Sequence, residues 1–122
     1  MYSHLVLRRY LNDMYILELR QVSSQIVWDM PITFGQPPPP RESHSSVVYQ
    51  QRASRRWHLF IYGGMNGARL GDLHMLDLDS MQWTRPLVSG NAPAPRSLHS
   101  ATVLGSRCAF SLCTPLRDAA QM

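Results

Sequence analysis

The sequence contains no lysine, so all twelve of its basic residues are arginine. Cysteine is nearly absent as well: Cys108 and Cys113 stand with four residues between them and no second pair, which excludes a four-cysteine zinc site and a disulfide framework. No apolar run approaches the roughly 18 residues of a membrane span. The start, MYSHLVLRRYLNDM, carries its arginines after the short apolar stretch rather than before it, which argues against a secretory leader. The expectation is a soluble, intracellular chain with reduced thiols and no membrane partner. Nowhere do apolar residues keep a spacing of three and four, so helices have little support.

What is present is a globular composition, 44% apolar and 16% charged, in 122 residues, with nine prolines and seven glycines that favour short elements joined by turns. The net charge is +4. Arginine offers a planar fork of donors suited to carboxylates and phosphates. Apart from Arg8-Arg9 and Arg52, Arg55, Arg56, however, the charges are scattered singly, whereas a nucleic-acid footprint concentrates them. QRASRRW mixes charge with an aromatic as single-strand binders do, but reads better as a solvated hairpin loop with Trp57 opening the next strand. No direct nucleic-acid partner is expected.

The chain also repeats itself. LNDMYILEL at 11–19 returns as LGDLHMLDL at 70–78, an offset of 59, and PITFGQPPPPRESHSSVV at 31–48 returns as PLVSGNAPAPRSLHSATV at 86–103, an offset of 55. Trp28 and Trp83 keep the offset of 55, so the first copy holds four extra residues, which fit in the polar turn RQVSSQ at 20–25. Such periodicity marks an architecture of stacked units. PPPP at 37–40 could be a polyproline ligand, but its copy NAPAP argues for a stiff crossover.

The most complete unit runs from Arg41 to Trp83. HSSVVY, HLFIY, LHMLDL and QWTRPL are four β-branched or aromatic runs, and the connections QQRASRRW, MNGARLGD and DSM are short enough to predict antiparallel neighbours. A four-stranded antiparallel unit repeated every 50-odd residues is the blade of a β-propeller. An isolated blade cannot bury both faces, so Trp28, Trp83, Tyr62 and Phe60 are expected between blades. Gly63-Gly64 would let a neighbouring backbone approach. Asp13 and Asp72, each ahead of a strand, would accept hydrogen bonds from turn amides.

Enzyme chemistry finds no support in these residues. His44 and His99 are obvious metal ligands in isolation, yet they hold the same repeat position and belong on different blades, while His4, His58 and His74 fall elsewhere in the repeat. No nucleophile elbow or phosphate-cradling glycine loop appears. No catalytic residue, metal or cofactor is therefore expected.

Three elements together, an Arg-x-x-His-Ser strand start, an apolar strand ending in Gly-Gly and a later Trp after L-x-D-L, resemble the kelch repeat. RYLNDMYILEL, PITFGQPPPPRESHSSVVY, IYGGMNGARLGDLHMLDLDSMQW and SGNAPAPRSLHSATVLG are similar to consecutive kelch repeats of the host cell factor family of nuclear transcriptional co-regulators. The likeness covers about Arg9 to Gly105. It gives a lead at 1–8, a partial repeat at 9–40, a complete one at 41–95, the start of another at 96–105 and a divergent tail at 106–122, where Gly-Gly is missing.

The resemblance implies an all-β kelch propeller fragment of about two blades with no enzyme activity. It implies transcription factors and chromatin-associated proteins as partners, engaged through short motifs with an acidic residue, His and Tyr, in the nucleus or in nucleus and cytoplasm. A generic kelch adaptor, such as a substrate receptor of a ubiquitin ligase, is the alternative, and it would need a helical domain not seen here. By carry-over, Arg41 and Arg96, with Arg69 between Gly-Gly and Asp, either pair with a partner's carboxylate or brace loops internally. Asp13, Trp28, His44, Gly63, Gly64, Asp72, Trp83 and His99 form the structural signature of the repeat. As a truncated product the chain is expected to be marginally stable and to self-associate through exposed blade faces, since a propeller needs roughly 4 to 8 blades to close.

Overall fold

A computed structural model describes residues 9–19 and 26–111. The lead at 1–8, the turn at 20–25 and residues 112–122 of the tail, with His4 and Cys113, lie outside the described residues. The described chain forms β1 (Ile16–Leu19), β2 (Ile26–Asp29), β3 (Phe34–Gly35), β4 (Ser45–Gln50), β5 (Trp57–Met65), β6 (Arg69–Asp77), β7 (Gln82–Thr84), β8 (Ser100–Leu104) and β9 (Arg107–Ser111).

The central sheet has the order β3-β7-β6-β5-β4. Its four main strands are those anticipated from residues 44 to 87, paired antiparallel in succession. Two boundaries differ from expectation. β5 runs through Gly63-Gly64 to Met65, because beyond a register shift at Gly63 the ladder resumes, Gly64 facing Leu70 and Met65 facing Arg69, instead of ending at the glycines. β7 stops at Thr84, ahead of Pro86, which has no amide to offer a ladder. The two-residue β3 adds a parallel fifth strand against Gln82 and Trp83, an element too short to show in any pattern.

Alternation along β5 sends Ile61 and Tyr62 to opposite faces. Ile61 joins Leu76 and Trp83 in a small core, against which Met14, Leu59 and Leu78 pack. Tyr62 packs its ring edge-on to His99 at 5.5 Å and against Phe110 at 5.1 Å, and its hydroxyl donates to Pro93 O at 2.8 Å. One face of the sheet therefore meets the segment before β1, and the other meets the β8–β9 hairpin. This is the face-to-face stacking of propeller blades.

The flanking pieces are two-stranded ribbons, β1–β2 and β8–β9, both antiparallel. β9 lies in the stretch that the sequence reads as a divergent tail. Trp28 departs from expectation: it is 68% exposed while its repeat counterpart Trp83 is 6% exposed. Trp83 sits on a five-stranded sheet with a neighbour over it, whereas Trp28 sits on a ribbon and touches Tyr15 edge-on at 6.5 Å.

Candidate partner-binding rim

The repeat signature converges where the start of one unit meets the Gly-Gly end of β5. Arg41 begins this region by donating its backbone amide to Leu11 O at 3.0 Å, and Arg96, its counterpart, donates to Leu70 O at 2.9 Å. The acceptors are themselves counterparts in the 59-residue repeat. Two residues after each arginine the backbone turns left-handed at a residue other than glycine, Ser43 (φ 56°) and Leu98 (φ 57°). The link to the next unit thus uses the same geometry twice.

The glycines make the contact close. Gly64 donates its amide to Arg96 O at 2.8 Å, and a Cβ on Gly63 (φ 63°) would lie 2.6 Å from that same oxygen. A Cβ on Gly64 (φ 100°) would lie 2.6 Å from Glu42 O. No side chain fits at either position without moving backbone, and both torsions favour glycine.

Arg41 is buried, and its guanidinium is fully employed inside the chain. It makes two hydrogen bonds of 2.7 Å to the two oxygens of Asp72, one of 2.9 Å to Gly63 O and one of 3.1 Å from Nε to Pro39 O. His74 completes the cluster, its Nε2–H donating to Asp72 Oδ2 at 2.6 Å. The Arg41 fork, and then His74, hold the Asp72 carboxyl far below the ordinary carboxylate range even though burial opposes this. Asp72 therefore binds a guanidinium and an imidazole rather than turn amides. Asp77 takes the turn-capping role instead, its Oδ1 accepting from Asp79 N at 2.9 Å and Ser80 N at 3.1 Å. Its pKa is lowered to about 2, first by Ser80 N and then by Arg56 and Asp79 N, against desolvation.

Arg96 repeats only part of the Arg41 arrangement. Its Nε donates to Ala94 O at 3.0 Å, the counterpart of Pro39 O, but among the described residues no carboxylate meets its guanidinium. Arg69 is exposed at the start of β6, next to Leu70, which holds Arg96. Arg69 and Arg96 thus share one rim, while Arg41 lies beneath it. Asp13, the counterpart of Asp72, is exposed.

The two repeat histidines differ in setting. His99 is buried between Tyr62 and Phe110 and hydrogen-bonded to Ser45 Oγ at 2.6 Å, whereas His44 is exposed. Burial lowers the pKa of each, helped by Arg96 and His44 for His99 and by Arg41 for His44. Among the described residues no group of three or more His, Cys, Asp or Glu side chains gathers where it could hold a metal ion. His74 and Ser45 escaped the sequence reading; the signal available was that Asp72 and Arg41 each recur with the repeat.

These features define a class: a kelch-type blade with parts of its two neighbours, of the kind used for protein interaction. Residues 3–118 match the family described as host cell factor, kelch-repeats domain. The chain belongs to that family, whose kelch repeats form a non-catalytic interaction domain. It is 59% identical over 99 residues to host cell factor 1 of Homo sapiens, 51% identical over 100 residues to host cell factor of Drosophila melanogaster and 48% identical over 99 residues to human host cell factor 2. Each comparison covers 81% of this chain, which spans 5%, 7% and 12% of those proteins.

Proposed function

We propose that this module serves a transcriptional co-regulator in the nucleus, binding short segments of transcription factors and chromatin-associated proteins that carry an acidic residue, His and Tyr. Family membership supports the setting. The observation that carries the binding mode is the rim itself, where the exposed Arg69 stands beside the backbone link that positions Arg96. Two guanidinium groups without carboxylate partners among the described residues suit an acidic side chain, and Tyr62, Pro93 and Phe110 line a pocket that reaches Gly71 and Asp72, on the same strand as Arg69. Arg41 acts from below by fixing the loop that shapes the rim.

The test is fluorescence polarisation of a labelled peptide bearing the acidic-His-Tyr motif against the 122-residue chain. Saturable binding that weakens with salt and falls at least about tenfold in Arg69→Glu and Arg96→Glu supports the reading. Equal binding by a peptide with the acidic residue replaced by Ala, or no saturable binding by a folded chain, overturns it.

A further inference from the structure

The end of the central sheet opposite the rim carries a second cluster of arginines. β5 leaves the hairpin loop at 51–56 with Trp57 and reaches the rim at Met65, so the two ends lie about 26 Å apart along an extended strand. Leu78 N donates to Trp57 O at 2.9 Å, which brings the turn after β6 beside the same loop. β4 and β8 lie side by side and start together, where His99 meets Ser45 Oγ at 2.6 Å. The β8–β9 turn, with Arg107, therefore falls at this end as well.

Arg52, Arg55 and Arg107 are exposed, and the ion pairs among the described residues include none of them. Arg56 is anchored to Asp77 at 2.9 Å. Asp77 also caps the β6–β7 turn, so Asp79 is the exposed carboxylate of the two turns.

The loop has a fixed shape. Gln51 N donates to Arg56 O at 2.9 Å and Arg55 N to Gln51 O at 2.8 Å. Gln50 Nε2 donates to Arg55 O at 2.8 Å, and Ser54 Oγ to Gln51 Oε1 at 2.9 Å. Arg55 holds a left-handed φ of 59°, which Gly or Asn adopts at less cost. Its side chain is exposed, so packing does not account for an arginine there. Strain kept at an exposed charged residue points to function.

We propose that this loop is a second binding site, whose ligand is an acidic protein segment that seats carboxylates on Arg52 and Arg55, with Arg107 as a further cation on the neighbouring turn. The guanidinium fork matches a carboxylate, and Arg56 with Asp77 already makes such a pair at the base of the loop. The fixed loop lowers the cost of ordering the arginines on binding. Single-stranded nucleic acid fits less well, because its platforms stack successive bases on several aromatic rings and this loop offers one, Trp57, at 46% exposure. The site uses none of the rim residues and is independent of what the rim binds.

The experiment is fluorescence polarisation of a labelled twelve-residue peptide containing six glutamates against the full 122-residue chain. It is run in an Arg69→Gln/Arg96→Gln background, so that the rim does not contribute, with a twelve-nucleotide thymidine strand measured in parallel. The expected result is saturable peptide binding that weakens with salt and falls at least about tenfold in Arg52→Glu/Arg55→Glu. Arg55→Asn is the sharper variant, since Asn takes the left-handed turn without the charge. It should bind at least about threefold more weakly while its urea midpoint stays the same or rises. No saturable binding by a folded chain, binding unmoved by the loop variants, a lower urea midpoint in Arg55→Asn, or tighter binding of the thymidine strand than of the peptide would each overturn the proposal.

Discussion

Arg41 and Asp72, 31 residues apart, face each other fork to fork through two hydrogen bonds of 2.7 Å, with the Arg41 side chain only 3% exposed. The pair ties the start of the blade to β6, the strand that follows the one holding Gly63-Gly64. Arg41→Ala leaves a carboxylate and an imidazole with no cation among them and should cost about 3 to 5 kcal/mol, while Arg41→Lys, which cannot bridge both oxygens, should recover only part of it. Arg96→Ala should cost less than about 1 kcal/mol. Urea midpoints followed by far-ultraviolet circular dichroism would check the order; equal effects at the two arginines would contradict it.

Acid should loosen the fold in two stages. Asp72 has a folded pKa below its ordinary 3.8, so its contribution is complete above that value and is lost as pH falls toward the folded pKa. His99, lowered from 6.5 mainly by burial, is neutral in the fold and protonates more readily in the unfolded chain, so its contribution begins to fade below about pH 6.5. Urea midpoints measured from pH 8 to pH 3 should show a shallow fall and then a steep one. His99→Gln should flatten the first stage and Asp72→Asn the second.

Gly63→Val should abolish the β spectrum, since its Cβ would lie 2.6 Å from Arg96 O. Gly67→Ala provides the contrast. Its φ of 98° disfavours a side chain, but nothing lies within 4 Å, so the cost should stay near about 1 to 2 kcal/mol. Similar losses in both variants would remove close packing as the reason for the double glycine.

Leu98 holds a left-handed φ of 57° while 79% exposed. Leu98→Gly should relieve that strain without sacrificing burial and raise stability by about 1 kcal/mol, read as an increase in urea midpoint.

Much of this architecture is legible in the residues. The β-branched and aromatic runs between residues 44 and 87 mark the four main strands, and the offsets of 59 and 55 map β6 and β7 back onto β1 and β2. β3 was invisible, since two residues carry no period. The role of Arg41 stayed open because a forked cation suits an internal carboxylate and a partner's equally well; only the distance to Asp72 separates them. Trp28 shows the limit of repeat logic. Residues in one register have one environment only when the same neighbours surround them.

The paired joints Arg41 N to Leu11 O and Arg96 N to Leu70 O span 30 and 26 residues (41 − 11 and 96 − 70). Each joint closes a loop of about the same length however many units follow it, so the mean sequence separation of contacts need not grow as blades are added. Assembly of such a chain can proceed unit by unit, each new blade folding onto the previous one at a pace set by its own short loop.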